Sequence, residues 1–165
     1  MLSTYDLAFA RKFADVAQVM VAQGIEDGEA RRVVAYISRL SMELSLKAYL
    51  EQAGMPVEEI RKHWHNLRSL LAEIDRTEIE VEVTPGNSMW VSASRLRSKD
   101  IGFLGYSVTL GKILEAEDHG ASTYPNEIRY GEMPRDFPPE ALATAAEILG
   151  SWVADHPARR MSRDA

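Results

Sequence analysis

Glu43 and Lys47 stand four residues apart in the stretch Ser41-Met42-Glu43-Leu44-Ser45-Leu46-Lys47-Ala48-Tyr49-Leu50. On a helix that spacing puts both on one face, with the acid first, the favoured order for an ion pair. Such a pair is either a plain surface contact or a polar anchor in a groove between helices, within reach of His65 or a ligand. His65 follows, with Asn66 and Leu67 behind it. At a helix start a histidine either bonds to backbone or acts as a titratable group where free N–H groups favour anions. Arg61, His65 and Lys47 together suit a bound phosphate. Arg129 and Tyr130 form a second candidate pair. Arg129 either ties its loop to a helix C-terminus or recognises phosphate or carboxylate, with Tyr124 or Tyr130 stacking on a base.

Other chemistries have weaker support. His63-Trp64-His65 offers two imidazoles, too few ligands for zinc without a carboxylate or a third histidine. His119, after Glu115, Glu117 and Asp118, completes such a set only by folding back. No metal and no cofactor are expected. The chain has no cysteine, which rules out disulfides, a thiolate zinc site and a cysteine nucleophile. There is no glycine-rich phosphate loop and no Gly-x-Ser-x-Gly elbow. Trp64, Trp90 and Trp152 read as core or dimer residues rather than stacking platforms.

The elements that must position these residues are mostly helices. Leu7, Phe9, Ala10, Phe13, Ala14, Val16, Ala17, Met20 and Val21 recur at helical spacing over residues 5 to 22, up to Gly24. Asp27 caps a second helix over 28 to 53, with a buried stripe of Val33, Ile37, Leu40, Leu44 and Ala48, widened by Val34, Leu46 and Tyr49. Gly54 ends it and Pro56 opens a short helix. His65-Asn66 starts the next, with Leu67, Leu70, Leu71 and Ile74 inward. A short connection between two amphipathic helices predicts that they pack antiparallel around Leu40, Leu44, Leu67, Leu70 and Leu71.

Residues 78 to 83 alternate strictly between Glu and Ile or Val, which is a strand with one wet face. Pro85-Gly86-Asn87 is turn chemistry, and 89 to 93 returns. A hairpin near 78–93 is expected, held to the bundle by Met89 and Trp90. A helix is expected over 103 to 117, a loop over 119 to 138, and a last helix from Pro138-Pro139-Glu140 with Leu142, Ala145, Ile148, Leu149, Trp152 and Val153 inward. Pro157 ends it, and the tail 157–165 reads as frayed.

With 165 residues, 45% of them apolar and 27% charged, the chain has the size and composition of one globular domain spanning 1–165. No apolar run is long enough to span a bilayer, and charges at Asp6, Arg11, Lys12 and Asp15 interrupt any signal-peptide core. A cytoplasmic protein with no membrane partner is expected. The net charge of −6 opposes nonspecific nucleic-acid binding except at a local patch such as Arg61–Arg68 or Arg95–Lys99.

Three signatures resemble the HEPN domains, taken in order. They are Ser41, Glu43, Leu44, Lys47, Ala48 and Leu50 on one helix, His65-Asn66-Leu67 opening the next, and Arg129-Tyr130 before the last. The resemblance implies a mainly α, four- or five-helix bundle, here with an inserted hairpin. It also implies a homodimer, which an apolar content beyond what five short helices bury suggests as well. Its setting is prokaryotic stress response, toxin–antitoxin systems and phage defence.

Catalytic members carry an arginine, four to six residues, then a histidine, and use the pair to cleave RNA without metal. None of the four histidines here has an arginine at that spacing, and Arg61 and His65 have three residues between them. A non-catalytic module binding a nucleotide, an RNA end or a protein partner is therefore expected, with Glu43, Lys47, His65, Asn66, Arg129 and Tyr130 as ligand contacts. The alternatives are a divergent metal-independent ribonuclease using Arg61, His65 and Arg129, and a purely structural or oligomerising domain.

Overall fold

Asp6 opens α1 (Leu7–Gln23) by accepting from the backbone N–H groups of Ala8 and Phe9, and Asp27 opens α2 (Gly28–Gln52) through the N–H of Ala30. Gly24 closes α1 at φ 100°, a conformation that favours glycine. The computed structural model describes residues 3–116 and 136–163. After α2 come α3 (Val57–Arg61), α4 (Leu67–Ile74), β1 (Thr77–Thr84), β2 (Asn87–Ser92), α5 (Leu110–Ala116), α6 (Pro139–Asp155) and β3 (Arg159–Met161), with 3-10 turns at Ala93–Ser98 and Phe103–Gly105. The chain is mainly helical with one small antiparallel sheet of order β2-β1-β3. Among the described residues no helix is long and apolar enough to cross a membrane.

The centre of the bundle is α2, which packs on α1, α4 and α6. α1 meets it through Ala10, Ala14 and Ala17, and the Ser41 hydroxyl donates to the Ala10 carbonyl at 2.7 Å. The buried stripe of α2 is rotated from the expected one. Val33 is exposed, Leu40 and Leu44 are half-buried, and Val34, Ala35, Met42, Leu46, Tyr49 and Leu50 form the core line. A helix enclosed on several sides hides more than one stripe, so Ser38, Arg39, Ser41, Glu43, Ser45 and Lys47 are buried as well. Leu67, Leu70, Leu71 and Ile74 of α4 are fully inside, as the spacing predicts.

The helix breaks between Arg61 and His65, where Trp64 takes φ 51°. Trp64 is 72% exposed, so of the two expected placements, core or dimer contact, it does not take the core one. Its indole is displayed by a turn that a bulky side chain enters only under strain.

Glu80↔Trp90 and Val81↔Met89 set the hairpin register. Ile79 is buried and Val81 half-buried, but Val83 is 60% exposed, so the outer half of the arm leaves the bundle. Met89 is exposed rather than packed, and Trp90 lies beneath the Arg160 guanidinium at 4.1 Å. The tail is not frayed throughout. β3 pairs Thr77↔Met161 and Ile79↔Arg159, and Met161 N–H and Ser162 N–H bond to the Ala53 and Arg76 carbonyls. Arg159 is 9% exposed, with its guanidinium 4.9 Å from the Tyr49 ring centre. Burial lowers the Arg159 pKa, against the pull of Tyr49; burial raises that of Tyr49, against its hydroxyl contact with Thr77 and the charge of Arg159.

The helix expected over 103 to 117 starts only at Leu110. Positive φ at Gly102, Leu104 and Gly105 breaks it, and Asp100 organises the preceding loop by accepting from Gly102 N–H and the Ser107 hydroxyl. α6 begins at Pro139 and buries Leu142, Ala145, Leu149, Trp152 and Val153, with Ile148 half-buried.

The N-terminal segment is tied to the end of α2. Glu51 accepts from Thr4 N–H, Tyr5 N–H and the Ser3 hydroxyl, each at 2.8 Å. Burial alone would raise its pKa, but these donors together hold it below the ordinary glutamate value. A depressed carboxylate contributes stability that is complete above its unfolded pKa and is lost as pH falls through the folded value. Amide exchange at Thr4 and Tyr5 is therefore expected to accelerate, relative to α2 and α6, on acidification below the ordinary glutamate range. Glu51→Gln should produce the same acceleration at neutral pH. Equal protection in parent and variant would show that the carboxylate does not hold this segment.

Candidate functional site

Arg39, Glu43 and Lys47 follow one another at four-residue steps, so α2 carries them up one side. The Asn66 side chain caps α4 by accepting from Ser69 N–H at 3.0 Å, which fixes the backbone that presents His65. The two elements meet at Glu43, whose side chain is 3% exposed. Lys47 Nζ donates to Glu43 Oε1 at 2.7 Å. His65 Nδ1 lies 2.9 and 3.0 Å from the two carboxylate oxygens. Arg39 Nη1 stands 3.7 Å from Oε2, and Arg39 Nη2 donates to the His65 carbonyl at 2.9 Å.

One buried carboxylate thus serves two permanent cations and one imidazole. Lys47 and the Arg39 Nη2 are engaged by hydrogen bonds, to Glu43 and to the His65 carbonyl, and the Arg39 Nη1 approaches the same carboxylate through charge. The His65 side chain is 42% exposed, the only one of the four to reach solvent to that extent. With Glu43 ionised, Nδ1 carries the proton and faces inward. Nε2 is then an acceptor while the ring is neutral and a donor once it is protonated.

We found no match to this chain among protein-family models, curated proteins or solved structures.

The sequence expectations divide accordingly. Glu43, Lys47 and His65 come together, although Glu43 and Lys47 are an interior pair and not a surface one. Asn66 is a helix cap whose side chain is already engaged. Arg61 does not join them: it pairs with Glu58 at 2.9 Å on α3, beyond the break in the helix. The clamp of Arg61, Lys47 and His65 therefore does not form. Arg129, Tyr130, Tyr124 and His119 lie outside the described residues. His63 turns to other partners, with Nδ1 3.1 Å from the Ser69 hydroxyl and Nε2 4.0 Å from Glu73. Among the described residues no group of three metal-ligating side chains converges. Arg39 was not among the expected residues, although its position four before Glu43 was a readable signal.

Proposed function

We propose that the chain is a HEPN-like binding module that takes a phosphate-bearing ligand, a nucleotide or an RNA end, at the exposed edge of His65, without cleaving it. The observation that carries this reading is the His65–Glu43 contact, made between residues 22 positions apart. It orients the ring so that one nitrogen is held inward and the other is offered to a ligand. Arg39 and Lys47 add positive charge behind the ring. Trp64, the neighbouring residue, supplies an exposed aromatic surface, and stacking of a base on such a surface contributes about 1–3 kcal/mol. The prokaryotic stress or defence setting rests on the resemblance alone.

A ribonuclease would need a cation positioned on the scissile phosphate as well as a proton-transfer group. Among the described residues, the cations closest to His65 in this cluster are turned onto Glu43 and away from a ligand. The test is titration of AMP and of inorganic phosphate into the parent and into His65→Ala, followed calorimetrically. We expect binding by the parent and a loss of at least about tenfold in the variant. Equal affinity in both would remove the site.

One feature favours a second reading. A carboxylate behind a histidine is also how a general base is oriented. Incubation with mixed single-stranded RNA decides between them. We expect no cleavage by the parent; cleavage that disappears in His65→Ala would establish an enzyme.

A further inference from the structure

His63 lines a cavity of about 290 Å³ between the α2–α3 connection, the end of α4 and β3. None of the residues that meet at Glu43 lines it. Ser69 donates its hydroxyl proton to the Asn66 carbonyl at 3.0 Å, so toward His63 Nδ1, 3.1 Å away, it can only accept. The neutral ring therefore carries its proton on Nδ1 and leaves Nε2 bare. Nε2 stands 4.0 Å from Glu73 Oε1, and the two side chains are sheltered, 19% and 18% exposed. Two acceptors thus face each other without a donor between them. The other Glu73 oxygen accepts from Arg76 Nη1 at 2.9 Å, and among the described residues the rest of that guanidinium is uncommitted. Glu59 also lines the cavity, but Lys62 Nζ holds both its oxygens at 2.7 Å. The apolar wall is Met55, Pro56 and Met161.

We propose that this cavity binds a free α-amino acid with an aliphatic side chain. An ammonium group placed about 2.8–3.0 Å from both Nε2 and Oε1 fills the gap between the two acceptors. Its donors answer the bare nitrogen, and its charge answers the carboxylate. Glu73 and Arg76 stand side by side, and an α-amino acid carries its two charges on one carbon, so its carboxylate falls to the free edge of the guanidinium. The charges already in the cavity cancel, Glu73 against Arg76 and Glu59 against Lys62. A zwitterion keeps that balance, whereas an amine or an acid alone would leave one charge unanswered. The side chain then lies against two thioethers, which adapt to irregular aliphatic shapes. The volume is at the small end of the range for ligand pockets, about 300–1,000 Å³, and suits a ligand the size of one residue.

Calorimetric titration of the full chain tests this with three probes: L-leucine, 3-methylbutylamine, which lacks the carboxylate, and 4-methylpentanoate, which lacks the amine. Leucine is expected to bind with a Kd of about 1 mM or tighter, and each one-charge analogue at least about tenfold more weakly. Arg76→Gln removes the partner of the carboxylate, so its leucine and 3-methylbutylamine affinities should become about equal. Glu73→Gln should weaken leucine by at least about tenfold and bring it level with 4-methylpentanoate. Far-UV circular dichroism verifies that each variant keeps its helices, and a general loss of structure would not equalise one chosen pair of ligands. No binding of leucine by the parent at about 10 mM overturns the proposal. So does an analogue that binds as well as leucine, or a preference for leucine over 3-methylbutylamine that survives Arg76→Gln.

Discussion

Glu43→Ala is expected to lower the stability of the protein by about 3–5 kcal/mol, the usual cost of deleting one partner of a buried charge pair. The carboxylate is the anion on which Lys47 and the His65 ring converge, with Arg39 Nη1 3.7 Å away. Its removal leaves the Lys47 ammonium buried without its 2.7 Å partner and frees the His65 ring to rotate. For a chain of this size the midpoint of thermal unfolding should fall by about 10 °C. The second arm of the experiment separates charge from packing. If the cost comes from an uncompensated ammonium, adding Lys47→Met to Glu43→Ala removes that ammonium and should regain part of the loss. Urea unfolding of the three proteins reads this directly, and a double variant as unstable as Glu43→Ala would mean that lost packing, not charge, dominates.

The next largest effect is in the apolar core. Leu70 has no exposure at all and belongs to the main buried cluster, with Leu46, Leu67, Leu71 and Ile74. Leu70→Ala should cost about 2–5 kcal/mol, from lost transfer energy and the cavity left behind. Leu44→Ala should cost less, about 1 kcal/mol, because Leu44 is only half-buried. The contrast matters because periodicity alone ranks the two leucines equally. Equal losses would mean that α2 sits rotated toward the expected stripe.

That pair of leucines shows where the sequence could be read and where it could not. Signals that act within one turn were legible. Asp27 caps a helix, Gly24 ends one, His65-Asn66 marks the start of another, and the Glu with Ile or Val alternation of 78–83 makes a strand. What depends on distant neighbours was not. The orientation of α2 is set by three helices packed around it, and its own apolar spacing cannot express that. The burial of Glu43 and Lys47 was concealed for the same reason, since an i, i+4 charge pair looks identical on a surface and in an interior. β3 has no local strand signature in Arg159-Arg160-Met161. It exists because Arg159 lies over Tyr49 and Arg160 pairs with Glu78 at 2.8 Å. The type of Trp64 does not tell core from surface, and a backbone at positive φ places it outside the core.

β3 has a consequence for how the chain is made. It stitches together parts that precede it by many residues, pairing with β1 and bonding to the ends of α2 and α4 through Ala53 and Arg76. During synthesis those parts emerge first, and β3 is still inside the ribosomal tunnel when the hairpin is already outside. Until residue 162 is released, β1 presents an unpaired strand edge, the kind of edge that pairs with other chains. The sheet of the nascent protein therefore stays open on that side of β1 until β3 arrives.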